Sequence, residues 1–326
     1  MDIKNIKSKI FNIGNFNDFN TLALQIFHYQ YHHNAVYHKF IDLLPVNINN
    51  ITSCLDIPCL PVEFFKSYDI RCLSDSPELI FKSSGTTSST PGRHYIFSKA
   101  LYEESLLNGF SIFFGRPENY MIFALVPDYI SVPESSLAFM LDFLIRKSAA
   151  VESGFYLNRD SELIPLLNSS PGRKKILFGT TYALMDFSEK YQLDLNDTIV
   201  IETGGMKGRR KEITREEMHL ALRKKLNVNK IYSEYSMCEL MSQAYSVEKG
   251  LYTSPPWMKI RIREINDPFT HSGSGKSGGI NIIDLANLYT CSFISTKDIG
   301  ILHDDGSFEV LGRFDYSDIR GCSLLS

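Results

Sequence analysis

Three apolar runs of strand length, residues 120–126, 176–178 and 198–201, recur between stretches with helical spacing. Runs of this kind read as strands buried on both faces, and such strands alternate with helices in a parallel sheet that is covered on both sides. The pattern points to an α/β fold and away from a helical bundle. Two of the runs lead into glycine and hydroxyl residues, Gly179-Thr180-Thr181 and Thr203-Gly204-Gly205. Ligands of open α/β sheets bind beyond the carboxyl ends of the strands, so a site is expected along that rim.

Two other parts flank this middle one. Residues 1–75 are rich in aromatics, lack strand alternation and read as helices and loops; residues 76–258 form the α/β part. From residue 259 the pattern shortens to turn-punctuated strands at 259–265, 279–285, 290–294 and 308–311. Thr214-Arg215-Glu216-Glu217 has the S/T-x-x-E spacing of a capping box, which predicts a helix over 215–226. With no repeat, low-complexity tract or evident linker, residues 1–326 read as a single large domain. His28, His32, His33 and His38 share helix faces, but no carboxylate or cysteine completes a ligand set, which favours aromatic packing over a metal.

A net charge of -3 recruits neither nucleic acid nor an anionic membrane, leaving a small molecule or a protein as the partner. The amino terminus is polar, and the most apolar stretch, 137–145, is broken by Asp142, so no membrane insertion and a cytoplasmic location are expected. Six cysteines without a CxxC pair read as free thiols.

Residues 81–94, "FKSSGTTSSTPGRH", crowd hydroxyl groups behind a short apolar stretch. Glycine allows close backbone approach, successive N–H groups form an anion nest, and hydroxyls donate to phosphate oxygens. Ser83 to Thr90 supply all three, although a Ser/Thr-rich surface loop would share this composition. The second glycine segment, "HSGSGKSGG" at 271–279, is not a P-loop: Thr270 stands where the first glycine belongs, and a strand pattern follows where a helix is required. It reads as a hairpin turn over 273–279.

Further along the chain, Ser84-Gly85-Thr86-Thr87 resembles the phosphate-binding signature of adenylate-forming enzymes, the group that includes acyl-CoA and phenylacetate-CoA ligases. Thr203-Gly204-Gly205 is similar to their glycine pair near adenine, and Tyr235-Ser236-Met237-Cys238-Glu239 to their Tyr-Gly-x-Thr-Glu box. Thr296-Lys297-Asp298 is similar to their Thr-Gly-Asp, and Gly312-Arg313 to the start of their hinge motif, in the same order. Within that superfamily "FKSSGTTSSTPGRHYI", "ESSLAFM", "ILFGTTYALMDF", "GGMKGRR" and "IRGCSLL" resemble the luminescence-type (LuxE-like) acyl-protein synthetases.

The resemblance implies an adenylate-forming large domain with two sheet-containing subdomains and a small β region, without the usual mobile C-terminal domain and its lysine. It implies that Ser83, Ser84, Gly85, Thr86, Thr87 and Ser88 hold the phosphates of ATP, with Gly204, Gly205 and Tyr235 at adenine and Cys238 at the α-phosphate. Glu239 would ligate Mg²⁺, Asp298 would bind the ribose, and Arg313 would contact ribose or the acyl phosphate. These assignments suit the chemistry: carboxylate attack on the α-phosphorus builds charge that donors, a cation and a metal must stabilise.

Several positions depart from the pattern. Ser236 and Cys238 replace glycine and threonine, and Ser88 stands where glycine is common. The usual loop lysine is missing, which leaves Arg93 or His94 to substitute; Lys207, Arg209, Arg210 and Lys211 offer charge elsewhere, or form a solvated loop. The resemblance further implies a cysteine near the carboxyl end that carries the acyl group, and Cys322 is so placed. From Arg313 it lies within roughly 30 Å of extended chain. The expected reaction is ATP-dependent activation of a carboxylic acid, most simply a fatty acid, with transfer to a thiol and onward to a reductase or carrier protein. Transfer to coenzyme A, or a noncatalytic binding subunit, are the alternatives. Leu137, Phe139, Met140, Phe178 and Tyr182 line an acyl pocket or belong to the core.

Overall fold

A computed structural model describes residues 3–83, 90–169, 172–204, 214–265, 267 and 269–314. Its strands are β1 Leu60–Pro61, β2 Leu79–Lys82, β3 Arg93–Ile96, β4 Tyr120–Leu125, β5 Gly154–Phe155, β6 Lys174–Thr180 and β7 Thr198–Thr203. They continue with β8 Ile231–Tyr235, β9 Ala244–Ser246, β10 Leu251–Thr253, β11 Met258–Arg263, β12 Ser277–Asp284, β13 Phe293–Leu302 and β14 Phe308–Arg313.

All but the β2–β3 hairpin join one twelve-stranded sheet, ordered β11-β12-β13-β14-β10-β9-β8-β7-β6-β4-β5, with β1 alongside β13. β5, β4, β6, β7 and β8 are parallel. From β8 onward every pairing on the path is antiparallel. The apolar runs noted in the sequence are β4, β6 and β7, and every residue of β4 is buried, as expected of a strand covered on both faces. Helices Lys99–Phe114, Ser136–Ser148, Asp160–Asn168, Thr181–Lys190 and Arg215–Leu226 complete the α/β part. The last begins with a full capping box, in which Thr214 and Glu217 satisfy each other's backbone donors.

Residues 1–75 supply helices Phe16–His33 and Ala35–Asp42, which pack on the antiparallel half rather than standing apart. His33 stacks on Tyr29 with ring centroids 4.5 Å apart, and His38 stacks on Tyr31 at 4.4 Å. Gln30 is fully buried; its amide donates to the carbonyls of Asn287 and Leu288, both at 2.9 Å. Asn34 donates to the Thr290 carbonyl at 2.9 Å, so this helical part holds the turn at 287–292.

Two expectations shift. β13 begins at Phe293 and runs to Leu302, longer than the 290–294 segment, because Lys297 and Asp298 interrupt its apolar pattern. The hairpin turn expected over 273–279 ends earlier: Gly278 and Gly279 lie inside β12. A Cβ at Gly279 would sit 2.4 Å from the guanidinium carbon of Arg263 and one at Gly278 2.2 Å from the Arg263 carbonyl oxygen, so these glycines admit the neighbouring strand and its side chain rather than a turn. Among the described residues Cys54, Cys59, Cys72, Cys238 and Cys291 are free, and no helix is long and apolar enough to cross a membrane.

β14 is positioned by another close approach, since a Cβ at Gly300 of β13 would lie 2.3 Å from the Glu309 carbonyl oxygen. Gly300→Ala is therefore expected to cost on the order of 2 kcal/mol in urea denaturation. Gly273, with nothing within 4 Å, serves as the control. Gly273→Ala should change stability by less than about 0.5 kcal/mol.

Candidate active site

The site lies at the seam where the parallel half of the sheet meets the antiparallel half. On the parallel side, β6, β7 and β8 end together. Thr181 donates to Glu202 at 2.7 Å and also lies 2.7 Å from the Gly204 carbonyl, fixing the turn in which Gly204 adopts a positive φ of 77°. Beside it Tyr235 closes β8. Its hydroxyl donates to Asp298 Oδ2 at 2.7 Å, while Arg313 Nε meets Asp298 Oδ1 at 3.0 Å. Asp298 and Arg313 are paired neighbours on β13 and β14, so one carboxylate links β8 to the antiparallel half. Burial, then Asp298, pushes the Tyr235 phenol far above its ordinary value, so it remains a donor. Its ring lies edge-on to Tyr252 and Phe308, at 5.9 and 5.7 Å. Each oxygen of Asp298 still has a lone pair for a further donor such as a ribose hydroxyl.

The loop after β8 carries Glu239, 5% exposed. Burial raises its carboxyl above the ordinary range; Arg313 and Lys66 counter this, and Asp298 adds to it. Glu239 is therefore within electrostatic reach of the Asp298–Arg313 pair. The β2–β3 hairpin brings the base of the hydroxyl tract to the same place. The Gly92 N–H donates to Ser83 Oγ at 2.8 Å, and the Ser83 N–H donates to the Gly92 carbonyl at 2.9 Å. A Cβ at Gly92 would lie 2.8 Å from Glu239 Oε1 and 3.2 Å from Ser83 Oγ. Gly92 thus lies against both Ser83 and Glu239, and the charges of Asp298 and Arg313 reach Glu239. Ser84, Gly85, Thr86, Thr87, Ser88, Gly205, Cys322 and the cluster Lys207, Arg209, Arg210 and Lys211 lie outside the described residues.

The structure does not bring Arg93 and His94 to Glu239 as phosphate-binding cations. His94 is fully buried, with Nδ1 2.8 Å from the Cys238 carbonyl and Nε2 2.9 Å from Asn287 Oδ1 and 3.2 Å from Thr290 Oγ1. Burial pushes its imidazole down to about 4, so it is neutral at neutral pH and braces the loop instead. Arg93, one residue earlier in the strand, points to the opposite face, where it pairs with Asp69 at 3.0 Å. Burial also raises the Cys238 thiol well above its ordinary value, so it stays protonated as a weak donor. Phe139, Met140 and Phe178 are core residues, with Phe139 packed against Phe81 and Tyr102.

Several supporting residues escaped the sequence reading. Asn287 donates to the Glu239 carbonyl at 2.8 Å, and buried Asp284 accepts from Met241 N, Ser242 N and Ser242 Oγ at 2.8, 3.0 and 2.7 Å. Only Gly92 had a local signal, the Pro91-Gly92 pair closing the hydroxyl run. Glu234, one residue before Tyr235, accepts from Thr203 Oγ1, while its Oε1 is buried with no hydrogen-bond partner among the described residues.

A family model described as "Acyl-protein synthetase, LuxE" matches residues 110–326. Among solved structures, 2-hydroxyisobutyryl-CoA ligase in complex with 2-HIB-AMP and CoA is 13% identical over 93% of this chain and 72% of its own, with a TM-score of 0.68. ATP-bound MatB from Rhodopseudomonas palustris is 13% identical over 73% of this chain, with a TM-score of 0.55. The chain spans 49% of that MatB structure, about half its length. Both likenesses are of fold: the mixed α/β architecture is that of the adenylate-forming ligases. No curated protein matches the chain.

Glu234 makes folding pH-dependent. Burial raises its carboxyl from 4.5 to about 7, with bonds from Ser236 and Thr203 opposing the shift and Glu202 adding to it. Between these values the folded state keeps a proton that the unfolded chain has lost, so stability falls as pH rises and stays reduced above 7. Glu234→Gln should melt higher than the wild type at pH 8, by at most about 3 kcal/mol. That advantage should vanish as the pH approaches 4.5.

Proposed function

The chain belongs to the LuxE acyl-protein synthetase family, and from that premise we propose that it uses ATP to activate a carboxylic acid, most simply a fatty acid, and passes the acyl group to the thiol of Cys322. The observation that carries this reading is the meeting of Ser83, Gly92 and Glu239 at the base of the hydroxyl tract, beside the Asp298–Arg313 pair.

In the first step a carboxylate oxygen of the acid attacks the α-phosphorus of ATP. A bond forms between that oxygen and phosphorus, the bond to the bridging oxygen breaks, and the electron pair leaves with pyrophosphate. Negative charge grows on the phosphate oxygens during this exchange, where oriented donors stabilise it. The Ser83 end of the hydroxyl tract supplies donors, Asp298 accepts from the ribose with Tyr235 holding it in place, and the outer face of Arg313, which is half exposed, meets the acyl phosphate. No set of three or more ligating side chains occurs among the described residues. One nearly buried carboxylate, Glu239, suits Mg²⁺, which takes one or two carboxylates and completes its shell with substrate phosphates and water. When bound there, Mg²⁺ would neutralise phosphate charge.

In the second step the Cys322 thiolate attacks the acyl carbonyl. A carbon–sulfur bond forms, the carbon–oxygen bond to phosphate breaks, AMP leaves, and the thiol proton passes to solvent. An acyl-accepting reductase or carrier protein in the cytoplasm would then take the acyl group from the thioester.

Pyrophosphate exchange into ATP, screened over carboxylic acids, tests the first step. Exchange should depend on the acid and fall about 100-fold or more in Glu239→Gln with an unchanged melting temperature. Absence of exchange with every acid, despite ATP binding, would leave a noncatalytic binding protein. Radiolabel from the acid should remain on wild type and be missing from Cys322→Ala. Equal labelling of both would move the acceptor elsewhere, and coenzyme A is then tested directly.

A further inference from the structure

The face of the β2–β3 hairpin that carries Arg93 is turned away from Glu239 and borders a second cavity, of about 640 Å³. Cavities that hold small molecules run to roughly 300–1,000 Å³. Three pieces of chain meet there: the junction of helices Phe16–His33 and Ala35–Asp42, residues 67–74, and Arg93 of β3. The first two are fastened to one turn. Asn34, between the helices, donates to the Thr290 carbonyl at 2.9 Å, and Cys72 N donates to the Tyr289 carbonyl at 2.8 Å. Asn34 and Cys72 are both buried, so the spacing of these walls is set by the fold.

The lining is basic. Arg71, Arg93 and His33 contribute to it, and Asp69 is the one acidic residue among the described lining. That carboxylate is spent within the wall: its Oδ1 accepts from the Tyr95 hydroxyl at 2.6 Å and pairs with Arg93 at 3.0 Å. Arg93 is thereby fixed, 6.0 Å over the Tyr95 ring, and keeps further donors, among them Nε, which is buried with no acceptor among the described residues. Arg71 is exposed and forms no ion pair among the described residues. His33 Nδ1 lies 2.9 Å from the Tyr29 carbonyl, which can only accept, so Nδ1 carries a hydrogen and Nε2 remains for a ligand. Ala35 and Val36 open a helix with no acidic residue in its first turn, and the positive end of its dipole adds to the same field.

We propose that this cavity is a second anion site, separate from the one at Glu239, and that Arg71 and Arg93 hold in it a phosphate group, free or carried by a small ester. Guanidinium forks match phosphate oxygens two at a time, which a chloride or a neutral polyol cannot use. Two guanidiniums less the Asp69 carboxylate leave one positive charge, and a protonated His33 adds a second. A phosphate monoester carries about −1.5 to −2 at neutral pH, which that charge balances. The proposal does not rest on the nucleotide reading of the Glu239 site.

Calorimetric titration of the full chain with glycerol 3-phosphate and with inorganic phosphate tests this. Arg71→Gln should bind either probe about tenfold more weakly than the wild type. Arg71→Lys should recover only part of the loss, because an ammonium lacks the planar fork. Ala35→Glu, which sets a carboxylate on the cavity wall at an exposed helix start, should abolish binding. None of the three should lower the melting temperature of the free protein. Arg313→Gln, at the other site, should bind the probes as the wild type does. Tighter binding of the ester identifies a phosphorylated small molecule as the ligand, and equal affinity identifies the free ion. Failure of the wild type to bind either probe overturns the proposal. So does equal binding by the wild type, Arg71→Gln and Ala35→Glu, or a loss confined to Arg313→Gln.

Discussion

The Asp298 carboxylate is the tie on which the site depends. It accepts from Tyr235 at the end of β8 and pairs with Arg313 on β14, so one nearly buried group joins strands from the two halves of the sheet. A buried charge is tolerable only when it is paired and hydrogen-bonded. That requirement holds the β7–β8 rim, where Gly204 and Tyr235 lie, at a set distance from the antiparallel wall.

A second polar layer sets the position of Glu239. His94 contacts the carbonyl of Cys238, Asn287 donates to the carbonyl of Glu239, and Asp284 gathers the donors of residues 241 and 242. Asn287 in turn lies in the turn held by Gln30 and Asn34 of the helical part. The support for the Glu239 carboxylate therefore extends from the first forty residues of the chain through a run of buried hydrogen bonds. Each of these groups would cost more left unsatisfied than it contributes when paired, so the network specifies one loop conformation. Such stiffness would suit the proposed reaction, in which charged oxygens must be held without rearrangement as charge develops.

Much of this was legible in the chain. β4, β6 and β7 are continuous apolar runs, and the helix Arg215–Leu226 follows a capping box, because burial on two faces and local donor satisfaction leave marks within a few residues. β13 was harder to read, since Lys297 and Asp298, which pair with Glu63 and Arg313, break its apolar pattern. Arg93 and His94 are the clearest failure. Their basic character and closeness to the hydroxyl tract suggested phosphate contacts, but strand alternation sends one to Asp69 and the other into a neutral, fully buried brace.

By itself the sequence determined the α/β class, the rim of glycine and hydroxyl residues beyond the strands, and the family to which the motifs belong, because these are written in local periodicity and short patterns. Only the tertiary structure decided which charges face one another. Asp298 finds Tyr235 across 63 positions, and His94 finds Asn287 across 193. The physical reason is that a charged or polar side chain acquires its role from the partner and the burial it meets, and both come from residues remote in the chain.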